Sequence, residues 1–60
     1  MNITRQAIRF RDWFNSEKFP EDLENAPIEE RVLAWADYAE IDLEDNFESI
    51  CERIIELGIC

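Results

Sequence analysis

Four glutamates and a cysteine are the residues whose types and spacing invite a chemical reading. In LEDNFESICERIIE, residues 43–56, Glu44, Glu48, Glu52 and Glu56 recur every fourth position, with Cys51 among them. Paired carboxylates can run acid–base chemistry or hold a hard cation, and a thiol can serve as nucleophile or metal ligand. The rest of the chain withholds what each role needs. There is no histidine, so both the near-neutral base and the imidazole that activates a cysteine are missing. Cys51 and Cys60 form no CxxC pair, and no zinc set can be completed around them. A single glycine excludes a phosphate-cradling loop and a dinucleotide fingerprint. DLEDN at 42–46 lacks the ligand spacing and the turn glycine of a calcium loop. No catalytic residue, cofactor or metal is expected, and the chain does not read as an enzyme.

What remains for the carboxylates is their charge. The sequence predicts a helix over 43–57. On it Glu44, Asp45, Glu48, Glu52 and Glu56 fall within one arc of about 120°. Successive glutamates stand about 6 Å apart along the axis. Each like-charged pair at that spacing costs roughly 0.2–0.5 kcal/mol, so three consecutive pairs cost on the order of 1 kcal/mol. A chain of 60 residues buries only about 60% of the surface its unfolded form exposes, and has little stability to spare. Solvated helix faces usually interleave lysine with glutamate and gain from it. This column holds no lysine or arginine.

The imbalance runs through most of the chain. Fifteen acids against six bases give a formal net charge of −9. Residues 1–20 carry +2, whereas residues 21–60 carry −11. Such a surface repels nucleic acid and anionic membranes and attracts basic partners. The acids continue onto Glu29, Glu30, Asp37 and Glu40, and onto the connecting residues Glu21, Asp22, Glu24 and Asp42. Arg5, Arg9 and Arg11, on the first helix, are expected to answer part of this charge from within the protein. No apolar run approaches the length of a membrane span, and no signal or transit peptide is visible. A cytoplasmic setting with reduced thiols is the expectation. Cys51 should be a buried thiol, and Cys60 a residue open to oxidative dimerisation.

Three elements must position these groups. Ile3, Ala7, Phe10 and Phe14 share one helical face, which predicts a helix over 3–17 with Asn2 as its cap. Phe19-Pro20 interrupts the pattern, and EDLENA has room for one short turn. Pro27 suits the first position of a second helix over 27–40, with Ile28, Val32, Trp35 and Ala39 inward and Ala36 beside them. In the third helix, Asp42 is the expected cap and Asp45 the capping-box carboxylate. Its core stripe is Leu43, Phe47, Ile50, Ile54 and Leu57, flanked by Cys51 and Ile55. Gly58 fits the left-handed ending, with Ile59 folded back on it. The expected fold is all-α: one small three-helix bundle, a single acidic domain over 1–60.

By size and charge the chain resembles the small acidic proteins with which phages and mobile elements block nucleic-acid-handling enzymes, such as anti-CRISPR and anti-restriction proteins. No shared motif carries that resemblance. It implies an inhibitor whose acidic face imitates a nucleic-acid backbone and occupies a basic site on a nucleic-acid-handling protein. The candidate partner-binding residues are Glu44, Asp45, Glu48, Glu52 and Glu56, with Leu33, Asp37 and Glu40 on the second helix. Leu33 lies among acids on the helical wheel, and Trp13 lies off the core line of the first helix. Each is either ordinary packing or an apolar anchor in an acidic rim. Two other readings stay open: an antitoxin or immunity-type protein neutralising a basic toxin, and a structural or adaptor bundle that self-associates, as a homodimer for example.

Overall fold

The structure is a computed structural model and describes residues 1–59. Cys60, the expected site of oxidative dimerisation, lies outside the described residues. Three helices build it: α1 (Ile3–Phe14), α2 (Ile28–Ala39) and α3 (Phe47–Glu56), with no strand among the described residues. The all-α three-helix bundle read from the sequence is what forms.

Asn2 caps α1 as its position suggests, its Oδ1 accepting the Arg5 N–H at 3.0 Å. The helix stops at Phe14, three residues before the expected end. Ser16 supplies the reason. Its hydroxyl donates to the Trp13 carbonyl at 2.6 Å and accepts the Lys18 N–H at 3.2 Å, offering the backbone an alternative to another helical turn. A 3₁₀ turn then forms at Glu21–Leu23.

Pro27 sits one residue ahead of α2 rather than at its first position, and its carbonyl accepts the Glu30 N–H at 3.1 Å. Arg31 clasps the connecting segment to the bundle. Its Nε donates to the Leu23 carbonyl at 2.8 Å and its Nη2 to the Glu24 carbonyl. Its guanidinium carbon lies 5.2 Å from the centre of the Phe14 ring and 5.6 Å from that of Phe19. At the far end of α2, Glu40 takes a left-handed backbone (φ 55°, ψ 41°) and Ile41 N–H reaches back to the Ala36 carbonyl at 2.9 Å.

The expected helix over 43–57 is shortened at its start. Asp42 Oδ1 accepts the Glu44 N–H at 3.0 Å, but Glu44 has φ 52°, which no right-handed helix tolerates. A 3₁₀ turn fills Glu44–Asn46, and α3 begins at Phe47 without a side-chain cap, so the Asp45 capping box does not form. The other end matches the sequence. Gly58 has φ 70°, Gly58 N–H bonds the Ile55 carbonyl and Ile59 N–H bonds that of Ile54.

The core gathers Ala7, Phe10 and Trp13 from α1, Val32, Trp35 and Ala36 from α2, and Ile50, Cys51 and Ile54 from α3, with Leu43 added from the link. Trp35 meets Phe10 edge-on at 5.9 Å, and Phe19 meets Trp13 and Phe14 at 5.0 and 4.8 Å. Trp13 is only 6% exposed, so ordinary packing accounts for it and the surface-anchor reading falls away. Leu57, expected in the core stripe, is half-exposed, because it lies past the last helical residue and the wheel no longer governs it.

Candidate interaction surface

Helix α3 carries two adjacent rows of side chains. Phe47, Cys51 and Ile55 form an apolar row at four-residue spacing, and Glu48, Glu52 and Glu56 form an acidic row beside it. The apolar row is covered unevenly: Cys51 is buried, Phe47 half-buried and Ile55 57% exposed. Opposite stands the first turn of α2, which contributes Ile28 and Glu29. Between the two helices lies an open groove of about 330 Å³, floored by Ile28, Phe47, Cys51 and Ile55 and rimmed by Glu29, Glu48 and Glu52.

The column read from the sequence is therefore regrouped. Glu48 and Glu52 stand together on the groove and make no ion pair among the described residues. Glu44 and Asp45 are exposed but belong to the turn before α3, off the helical face. Glu56 is partnered, with Arg53 Nε lying 3.4 Å from its carboxylate, an ion pair without hydrogen-bond geometry. Arg53 also donates from Nη1 to Thr4 Oγ1 and so ties α3 to α1. Four residues separate Leu33 from both Glu29 and Asp37 along α2, and Leu33 is 56% exposed, a true surface residue within acids. Leu33, Asp37 and Glu40 do not line the groove, and Glu29 joins the two areas.

Of the groove residues only Glu48 and Glu52 belong to the partner-binding set expected from the sequence; Ile28, Glu29, Phe47, Cys51 and Ile55 do not. The apolar row 47–51–55 was the available signal, since it is displaced by one position from the acids. Only the packing of α2 against α3 shows which flank of that row stays open.

Cys51 illustrates the electrostatics of the groove. Burial pushes its thiol above the ordinary value of 9.0, and the charges of Glu29 and Glu48 push the same way. The thiol stays neutral at physiological pH, a poor nucleophile and an apolar part of the floor. Among the described residues, no group of three or more His, Cys, Asp or Glu is placed to hold a metal ion. Among the described residues, no helix is long and apolar enough to cross a membrane.

Among the described residues the arginines of α1 form no ion pair with the acids of α2 or α3, the direct pairing that the sequence led one to expect. Arg11 pairs with its neighbour Asp12 at 3.5 Å and Arg9 donates to Gln6, while Arg5 forms no ion pair among the described residues. Arg9, Asp12 and Lys18 border a second opening of about 320 Å³, walled by Trp13, Trp35 and Tyr38. Comparison with protein-family models, curated proteins and solved structures finds no match to this chain.

Proposed function

We propose that this chain is a small acidic inhibitor that occupies the nucleic-acid site of a DNA- or RNA-handling protein, in the manner of phage-type anti-CRISPR and anti-restriction proteins. One observation carries the reading. Glu48 and Glu52 from α3 and Glu29 from α2 converge on one exposed surface and make no ion pair among the described residues, while Arg11 pairs within α1. Glu48 and Glu52 stand about 6 Å apart along the helix axis, where duplex phosphates follow one another at about 3.4 Å of axial rise per strand. With Glu29 across from them, the density of negative charge is comparable. A partner built to bind phosphates presents lysine and arginine to such a surface, and complementary fields speed the encounter. The chain acts by binding, not by catalysis. It works beside its target, in the cytoplasm of the cell in which the target operates.

The test is affinity capture on the native protein and a Glu48→Lys, Glu52→Lys variant whose fold is checked by circular dichroism. The expected result is that the native chain retains a nucleic-acid-binding complex and abolishes its binding of DNA or RNA, whereas the variant retains nothing. Equal retention of the same complex by both chains overturns the reading.

A further inference from the structure

The groove holds more than charge. Its floor is apolar along the Phe47, Cys51, Ile55 row, which spans nine residues of helix, about 12 Å from first to last. Carboxylates border it from both walls, Glu29 on α2 and Glu48 and Glu52 on α3. A flat phosphate mimic needs no such trough.

We infer that this groove receives a basic amphipathic helix of the partner, with aliphatic side chains one turn apart on the floor and lysines or arginines against Glu29, Glu48 and Glu52. The inference rests on the proposed function and names what the partner presents. Three features select the occupant. The length of the floor accommodates side chains at i and i+4 of a helix, which lie about 6 Å apart along its axis. The rim is acidic on both sides, so a neutral or acidic segment gains nothing from it. A second copy of this chain brings another −9 of net charge, which opposes self-association at an acidic rim. An aliphatic anchor within a ring of charged contacts is the arrangement of an interface hot spot. The neutral thiol of Cys51 keeps the floor apolar at physiological pH.

The experiment titrates three synthetic helical peptides into the 60-residue protein, followed by calorimetry and by backbone amide NMR shifts. One peptide carries leucines at i and i+4 flanked by arginines, the second replaces the leucines with glutamine, and the third replaces the arginines with glutamate. The first is expected to bind with shifts centred on Phe47, Cys51 and Ile55, and the other two about tenfold or more weaker, the range of losing one hot-spot contact. Ile55→Gln is expected to weaken the first peptide by a similar factor and to remain folded, because Ile55 is already 57% exposed. Equal binding of the glutamine peptide, or shifts away from the groove, overturns the inference. So does self-association that Ile55→Gln abolishes, since the groove then belongs to a second copy. The captured partner separates this inference from the function it rests on. If Ile55→Gln retains that partner fully while Glu48→Lys, Glu52→Lys loses it, the groove is not the anchor site and the charge reading stands. If none of these variants changes retention, both fail.

Discussion

If the acidic row on α3 is kept for a partner and not for the fold, reversing one of its charges should stabilise the protein. Glu52 is the position to change. It is exposed in the middle of α3, with Glu48 one turn before it and Glu56 one turn after. Glu52→Lys converts each i,i+4 contact from repulsion to attraction, a swing of roughly 0.4–1 kcal/mol per contact. The Glu48 contact counts in full. The Glu56 contact counts in part, because Arg53 already stands 3.4 Å from that carboxylate. The sum is a stabilisation of about 1 kcal/mol, or a rise in Tm of roughly 4–8 °C for a domain of this size. Glu52→Gln, which removes repulsion without adding attraction, should gain about half as much.

The assay is urea and thermal unfolding followed by helical circular dichroism, at low ionic strength and again in about 1 M salt, where the screening length falls to about 3 Å. The gain should be present at low salt, shrink strongly at high salt, and accompany loss of the partner. A Glu52→Lys chain that is no more stable than the native one at low salt refutes the reasoning. So does a gain that survives high salt unchanged, because the stabilisation would then come from helix propensity or packing.

Arg31→Lys should destabilise by about 1–2 kcal/mol, since a lysine cannot serve the Leu23 and Glu24 carbonyls together while lying over Phe14 and Phe19. The urea midpoint measures this, and faster amide exchange over residues 21–26 should accompany it; an unchanged midpoint removes Arg31 as the clasp. For Cys51, burial first and the charges of Glu29 and Glu48 next raise the folded thiol above its ordinary value of 9.0. The unfolded chain therefore loses its proton first, so this contribution to stability is fully present below about 9.0 and declines as pH rises through the folded value. Stability measured from neutrality into that alkaline range should fall less steeply in Cys51→Ala than in the native chain, both carrying Cys60→Ser; parallel curves contradict a raised thiol.

The helices were legible because their apolar spacing and caps agree. Ile3, Ala7 and Phe10 follow one face, Asn2 closes the first turn of α1, and Gly58 takes the left-handed position that ends α3. The start of α3 was not legible, for a reason specific to Asp42. A carboxylate accepting the N–H two residues on makes either a helix cap or an Asx turn, and the residue types are the same for both. The bond from Glu44 forms, but the positive φ of Glu44 makes it a turn. Trp13 could not be decided from the α1 wheel, which ignores Phe19; that ring returns from the connecting segment to cover the indole, and ordinary packing is the outcome. The groove was hidden for a related reason. A wheel ranks positions around one helix, whereas an opening between α2 and α3 depends on how the two sit together.

Conformational cost bears on the same question as charge. The two non-glycine residues with positive φ among those described are Glu40 and Glu44, both glutamates in the link between α2 and α3. Glycine adopts that conformation freely, and for other L-residues it costs roughly 1–2 kcal/mol. The α3 row adds like-charge repulsion between Glu48 and Glu52, and the arginines of α1 relieve neither cost. Leu33 and Ile55, at 56% and 57% exposed, place aliphatic side chains in water next to these acids. A face that only keeps the protein dissolved would be better served by lysine within the column and glycine at the bends, and has no use for exposed aliphatics. Glu48 and Glu52 kept one turn apart with no base between them, beside apolar side chains kept where they meet solvent, fit a surface shaped by what it binds.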